Sequence, residues 1–239
     1  MLERLNVMYQ DSRFRGNYLT ELKLLTIYCI LDYISKTNEK GPKAMKIIKP
    51  LLFLALLFIG FTSVKSFASD PGDKVDDFTL KNYDGTAYSL SDMKDSKAVV
   101  VMFWSCECPN VQPYNDRIGD FVKEYQQKGI TFWAINANST ETVEQVSEHA
   151  KKNDYPFPVL KDVNNVVADK LGATRTPEVY VIGPDKTILY HGRISDSKFK
   201  EQETSLDLKN ALDDIIAGRD VAVKTTKSFG CNIKRAQGN

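Results

Sequence analysis

The hydrophobic positions of this chain are densest between residues 99 and 109. Residues 99–103 read Val-Val-Val-Met-Phe, a continuous apolar run rather than an alternating one. Such a run is typical of a strand that is covered on both faces. It leads into Trp104-Ser105-Cys106-Glu107-Cys108-Pro109, and proline is well tolerated in the first turn of a helix. The pattern therefore predicts a buried strand that carries two cysteines to the start of a helix.

Downstream of this block, helix-like and strand-like segments alternate. The predicted order is a helix over 111–125 that Pro113 should kink, a strand over 130–137, a helix capped by Asn138 or Ser139, a short strand near 159, a short helix over 164–171, a hairpin over 178–191 and a last helix over 208–216. This alternation predicts a parallel βαβ unit with a right-handed crossover. Upstream, Asp84-Gly85 separates two short strand-like segments and predicts an N-terminal β-hairpin.

The segment before residue 69 has the composition of an export signal. Residues 45–50 are basic, the run from Leu51 to Phe61 is apolar, and Ser66 and Ala68 supply the small residues of a cleavage site. The apolar run is eleven residues long, whereas a membrane-spanning helix needs about 20. We interpret residues 45–68 as a signal peptide, with an uncleaved membrane anchor as the alternative. The domain is then exported, periplasmic or secreted, and membrane-tethered only if the apolar run is retained.

Residues 1–44 precede this signal, and two interpretations of them stay open. They are either an upstream extension of the reading frame, with Met45 as the true start, or a cytoplasmic extension. The rest of the chain divides into a domain over 69–218 and a C-terminal tail over 219–239.

Charge and cysteine content narrow the function. Residues 69–239 carry 22 Lys and Arg against 26 Asp and Glu, which gives no basic surface for nucleic acid. Three cysteines lie in this part, Cys106, Cys108 and Cys231, and a fourth, Cys29, lies in the leader. An odd number leaves at least one thiol unpaired or paired between chains.

The two adjacent cysteines predict redox chemistry. Cys108 falls at the predicted helix start, where unpaired N–H groups and the helix dipole favour a thiolate. Cys106 is its nearest resolving partner, and a disulfide between them would close a strained and therefore labile ring. Glu107, placed between them, would oppose thiolate formation.

The order of these elements resembles the thioredoxin fold: a strand, Trp104 ahead of a cysteine at a helix start, a βα crossover, Thr176-Pro177 before a strand, a hairpin and a closing helix. The hairpin ahead of it resembles the redoxin branch, the alkyl hydroperoxide reductase and thiol-specific antioxidant superfamily. Residues 174–179 and 229–235 resemble a peroxiredoxin-like group of exported or bacterial proteins. The resemblance covers about Pro71 to Arg235 and implies an α/β fold with a central mixed sheet flanked by helices.

The resemblance also implies site residues. Against the Trp-Cys-x-x-Cys pattern of thioredoxins, Cys108 takes the second cysteine position and Ser105 replaces the first. Pro177 is implied to be cis and to face the cysteines, with Trp104 and Thr176 beside the substrate.

The peroxiredoxin pattern Pro-x-x-x-Thr/Ser-x-x-Cys also matches in part. Ser105 and Cys108 fit it, but Val101 stands where the proline belongs. The activating arginine of that family has no counterpart, because Arg175 precedes the proline loop rather than the strand.

We therefore predict a thiol-disulfide oxidoreductase that acts through Cys106 and Cys108 on protein dithiols and disulfides or small thiols, without cofactor or metal. The first alternative is a thiol peroxidase in which Cys108 attacks a peroxide and Cys106 or Cys231 resolves. The second is a module that binds copper through both adjacent cysteines and one histidine. His149 and His191 lack metal-ligand spacing, so we expect them at the surface.

Cys231 stands in the tail, after the fold is predicted to close at Gly218. The twelve intervening residues span about 40 Å when extended, so Cys231 can reach either of the other cysteines. A packed or free tail thiol is the alternative, since only Phe229 and Ile233 offer anchors for docking.

Overall fold

The computed structural model describes residues 70–236, so the predictions for the leader and the signal segment lie outside the described residues. The strands are β1 Thr79–Asn82, β2 Ala87–Ser89, β3 Ala98–Phe103, β4 Ile130–Asn136, β5 Val159–Lys161, β6 Arg175–Thr176, β7 Glu178–Ile182, β8 Ile188–Gly192 and β9 Cys231–Asn232. The α-helices are α1 Asn115–Gln126, α2 Val143–Lys152, α3 Val166–Leu171 and α4 Asp207–Ile216. Short 3-10 turns cover Leu90–Met93, Gln112–Tyr114, Val163–Asn165 and Lys200–Gln202.

Seven strands form one mixed sheet in the order β2-β1-β5-β4-β3-β7-β8. The β3–β4 and β4–β5 pairs are parallel, whereas the other pairs of this sheet are antiparallel. All residues of β3 are buried, and alternate residues, such as Val100 and Val101, contribute to two separate apolar clusters. The predicted α/β architecture, with a buried β3 and an N-terminal β1–β2 hairpin, is therefore confirmed.

The predicted kink at Pro113 is wrong, because the helix begins after this residue. Residues 109–111 form a turn, Pro113 lies in a 3-10 segment, and α1 starts at Asn115. A proline inside an α-helix lacks its N–H and clashes with the carbonyl four residues earlier. The stretch after the cysteines is therefore a tight turn, and the prediction that Cys108 lies at a helix start is wrong, because α1 begins only at Asn115.

The predicted cap of α2 is also wrong. Thr142 caps this helix and forms a capping box with Gln145. Asn138 and Ser139 instead bond the C-terminal tail: the Lys234 amide donates to Asn138 Oδ1 at 2.8 Å, and the Ser139 amide donates to the Lys234 carbonyl at 2.9 Å.

The tail folds back over the domain. Hydrogen bonds of 3.0 Å join the His191 amide to the Lys224 carbonyl and the Thr226 amide to the His191 carbonyl. Farther along, β9 pairs antiparallel with β6. The residue after β9, Ile233, is buried, with 7% of its surface exposed. The tail that has no helical or strand periodicity in sequence is thus held by backbone pairing and by two buried apolar side chains, Val221 and Ile233.

Within residues 70–236, no helix has the length and apolarity needed to cross a bilayer.

Candidate active site

Cys108 lies at the carboxyl end of β3, in a loop held by local hydrogen bonds. Its amide donates to Ser105 Oγ at 3.1 Å, and its carbonyl accepts from the amides of Val111 and Gln112 at 2.9 and 3.3 Å. The residue is 3% exposed, and its thiol donates to the Thr176 carbonyl at 3.1 Å. The loop therefore presents Cys108 to the segment at Thr176.

The Thr176–Pro177 peptide bond is cis, as the resemblance implied. This segment is the point at which the chain brings β6, the cysteine loop and the tail together. Cys108 contacts it from the loop, and Cys231 is the Cα partner of Thr176 in the β6–β9 pair.

Cys231 is thereby brought beside Cys108. Thr176 is the Cα partner of Cys231 and its carbonyl accepts from the Cys108 thiol, and Asn110 Nδ2 donates to Cys231 Sγ at 3.5 Å. The close approach depends on Gly230, because a Cβ on this residue would lie 2.1 Å from the Thr176 carbonyl oxygen. Cys106, Cys108 and Cys231 are all free thiols.

The environment separates the pKa values of this pair. Burial acts to raise the pKa of Cys108, but the neighbouring Cys231 and Thr176 outweigh it, so the pKa lies below its ordinary value. Burial and the neighbouring Cys108 raise the pKa of Cys231. Cys108 is therefore the more acidic thiol, and Cys231 holds its proton more tightly.

Cys106 faces a different environment. Its thiol lies 3.9 Å from Asn136 Nδ2, and its amide donates to Glu141 Oε2 at 2.8 Å. Burial and the negative charge of Glu141 raise the pKa of Cys106 to about 12. This thiol stays protonated at neutral pH.

Glu141 is a site residue that sequence reasoning missed. It is 2% exposed and accepts hydrogen bonds from Ser105, Cys106, Asn136 and Asn138. Burial alone would raise its pKa, but these bonds bring the pKa below its ordinary value. A signal did exist: Glu141 follows β4, and the carboxyl ends of adjacent parallel strands lie at the same sheet edge.

The remaining predicted site residues pack around this loop. Trp104 is 1% exposed, and its Nε1 donates to the Tyr155 hydroxyl at 3.1 Å. Arg175 Nη1 donates to the Gly230 carbonyl at 3.4 Å, so this guanidinium is engaged with the tail.

The prediction of two surface histidines is wrong. His149 is partly buried beside Tyr155, with 5.7 Å between ring centroids. His191 stacks on Tyr180 and its Nε2 lies 2.7 Å from Glu178 Oε1. Each imidazole ring therefore packs against a tyrosine ring. Among residues 70–236, no three His, Cys, Asp or Glu side chains gather as a metal-ligand set, and Cys106, Cys108 and a histidine do not form the set that the copper alternative requires.

Fold and site define a thioredoxin-like redoxin. The model of the AhpC/TSA family matches residues 71–191, about half of the chain, and the chain belongs to this family.

Individual relatives agree with this assignment. The thiol-disulfide oxidoreductase ResA of Oceanobacillus iheyensis is 28% identical over 165 residues, which cover 64% of this chain and 84% of that protein. A hypothetical protein from Sinorhizobium meliloti 1021 has a crystal structure with a TM-score of 0.66 and 33% identity, covering 70% of this chain and 96% of that one. The peroxidoxin BcpB from Mycobacterium tuberculosis gives a TM-score of 0.51 and 25% identity, covering 63% and 99%. The chain is an oxidoreductase of the thioredoxin-like redoxin superfamily.

Proposed function

We propose that this protein is an exported thiol-disulfide oxidoreductase in which Cys108 is the attacking thiolate and Cys231 the resolving thiol. One observation carries the proposal: the tail strand pairs Cys231 with Thr176, whose carbonyl the Cys108 thiol contacts at 3.1 Å. The pKa of Cys108 is lowered in the same contact, which is what an attacking thiol requires. The Cys106–Cys108 pair favoured by sequence spacing is supported less well, because the pKa of Cys106 is raised to about 12.

The reaction proceeds by two exchanges of sulfur partners. In the first, the Cys108 thiolate attacks one sulfur of a substrate disulfide, a mixed disulfide forms, and the other substrate sulfur leaves as a thiolate that takes up a proton. In the second, Cys231 loses its proton to solvent and attacks the Cys108 sulfur, which releases the second substrate thiol. The substrate gains two electrons, and the protein is left with a Cys108–Cys231 disulfide. An external dithiol returns it to the reduced state.

Neighbouring residues have positioning roles in this scheme. Ser105 Oγ accepts from the amides of Glu107 and Cys108 at 3.3 and 3.1 Å and so fixes the turn that carries the nucleophile. Thr176 and Pro177 form the opposite wall. Trp104, at the start of the cysteine loop, is held in place by its hydrogen bond to the Tyr155 hydroxyl. Partners are protein disulfides or small thiols, and the reducing dithiol is expected to attack Cys231, which is more exposed than Cys108.

The test compares substrates and variants in single turnovers. Fully reduced full-length protein is mixed with hydroxyethyl disulfide or with hydrogen peroxide, and thiol loss is followed over time. We expect rapid consumption of the disulfide, complete loss of reaction in Cys108→Ser, arrest at the mixed disulfide in Cys231→Ser, and near-normal turnover in Cys106→Ser.

Two results would overturn the proposal. Full disulfide turnover in Cys231→Ser would remove the tail from the mechanism. Peroxide consumption much faster than disulfide consumption would establish the peroxidase alternative, in which the Cys108 thiolate attacks one peroxide oxygen, becomes a sulfenic acid and then condenses with Cys231 with loss of water.

Export is the second part of the proposal and rests on residues 45–68. Sequencing the N-terminus of the protein recovered from cells should give a start near Ser69. Recovery of an intact Met1 or Met45 end from membranes would support an anchor instead.

A further inference from the structure

The buried carboxylate of Glu141 is the hub of the loop that carries Cys106 and Cys108. Ser105 Oγ donates to its Oε1 at 2.5 Å, and the Cys106 amide donates to its Oε2 at 2.8 Å. Ser105 in turn accepts from the Cys108 amide. One carboxylate thus fixes the backbone of one cysteine and, through one hydroxyl, that of the other.

The same carboxylate is linked to the tail. Asn138 Nδ2 donates to Glu141 Oε1 at 2.9 Å, while Asn138 Oδ1 accepts from the Lys234 amide at 2.8 Å. Lys234 lies three residues beyond Cys231, on the far side of the buried Ile233. The loop and the strand that bears Cys231 are therefore held through one shared set of hydrogen bonds.

The charges around Cys106 oppose its ionisation. Glu141 approaches from the segment before α2 and Glu107 from the same loop, and both favour the protonated thiol. Lys161, on β5, acts in the opposite direction. Lys161 Nζ is bonded at 2.7 Å to Asn136 Oδ1 and to the Asn138 carbonyl. Tyr155 also faces this sulfur, and burial raises the pKa of its hydroxyl although the hydrogen bond from Trp104 acts in the opposite direction.

We propose that Glu141 is a positioning residue that selects the redox pair. It fixes the Cys106 backbone and keeps Cys106 a protonated thiol, which leaves Cys231 as the partner of Cys108. This inference rests on the proposed function and concerns which of two thiols resolves the mixed disulfide. Cys106 is close in sequence but is kept out of thiolate chemistry by the carboxylate beneath it. Cys231 is remote in sequence but is delivered by the strand that the same network anchors.

The experiment uses full-length protein in four forms: wild type, Glu141→Gln, Lys161→Gln and Glu144→Gln. Glu144 is exposed on α2, so Glu144→Gln makes the same chemical change outside the network. Alkylation of each cysteine by iodoacetamide is measured by mass spectrometry between pH 6 and pH 10, and disulfide links are mapped after oxidation with trans-4,5-dihydroxy-1,2-dithiane. Circular dichroism checks that each variant is folded.

Glu141→Gln should raise the alkylation rate of Cys106 at pH 8 by at least about tenfold, the change expected when the pKa falls by one unit. A Cys106–Cys108 link should appear in its oxidised form. Lys161→Gln should change the Cys106 rate in the opposite direction, and Glu144→Gln should match the wild type.

A folded Glu141→Gln protein with unchanged Cys106 alkylation and an unchanged disulfide map would overturn the inference while leaving the proposed function intact. If Glu141→Gln fails to fold, Lys161→Gln decides: a faster Cys106 rate in that variant contradicts the assignment. A wild type that never links Cys108 to Cys231 would contradict the proposed function itself, whatever Glu141→Gln does.

Discussion

Two thiols flank Cys108, and their surroundings differ in kind. Cys106 belongs to the same tight loop, its backbone is tied to the Glu141 carboxylate, and burial together with that charge raises the pKa of its thiol to about 12. Cys231 comes from a strand near the end of the described chain and pairs with Thr176, whose carbonyl accepts from the Cys108 thiol. If Cys231 is the resolving thiol, as we propose, electrostatic surroundings and backbone pairing select it rather than nearness in sequence.

The most disruptive test of this comparison acts on the tail strand. In Gly230→Ala, the new Cβ would lie 2.1 Å from a backbone oxygen of Thr176, so β9 cannot keep its register. The backbone there has a positive φ of 148°, which adds strain for any residue with a side chain. We expect the oxidised protein to lose the Cys108–Cys231 link, as measured by peptide mapping. Gly119→Ala is the matched control, since its Cβ would lie 3.7 Å from its nearest neighbour, Pro156. A Gly230→Ala protein that keeps the link would show that β9 docking does not bring the thiols together.

A smaller effect on the Cys108–Cys231 link is expected from truncation of Ile233, the buried apolar side chain nearest to Cys231 in the tail. Ile233 is 7% exposed, and truncation of a buried isoleucine to alanine costs about 2–5 kcal/mol. Ile233→Ala should therefore lower the free energy of unfolding in urea and slow formation of the Cys108–Cys231 link. Val223, 58% exposed in the same tail, supplies the control: Val223→Ala should change stability by less than about 0.5 kcal/mol. Equal effects of the two substitutions would argue against a docked tail.

The pH dependence of thiol reactivity gives the finest comparison. Alkylation of Cys108 should titrate with a midpoint below the ordinary cysteine value, because its folded pKa is lowered. Alkylation of Cys106 should titrate near pH 12. The linked effects on stability have opposite signs. For Cys108, whose folded pKa is lowered, the free energy of unfolding rises as pH increases from the folded to the unfolded pKa. For Cys106, whose folded pKa is raised, the free energy of unfolding falls as pH increases from the unfolded to the folded pKa. Coincident midpoints for the two cysteines would contradict the described electrostatics.

The sequence predicted the fold well because its signals are local. One secondary-structure element is predicted by each of three local patterns: the apolar run of β3, the Asp84-Gly85 turn and the helical periodicity of α4. The kink predicted at Pro113 is wrong because a proline is compatible both with a bend inside a helix and with the segment just before a helix begins.

The site was predictable only in part. Cys108, Ser105 and the Thr176-Pro177 segment follow from motif spacing. Glu141 and the pairing of β9 lie outside these motifs: the position of Glu141 after β4 is only a weak signal, and β9 pairs with residues far away in the chain. Asn138 illustrates the limit: its residue type suits a helix cap, yet in the fold its side chain joins Glu141 to the tail.

The central claim is the identity of the redox pair, and a disulfide map of the oxidised full-length protein under non-reducing conditions tests it most directly. The protein is oxidised to equilibrium, remaining thiols are alkylated, and cysteine peptides are assigned by mass spectrometry. We predict a Cys108–Cys231 link, with Cys106 recovered in alkylated form. A Cys106–Cys108 link together with freely alkylated Cys231 would contradict the account.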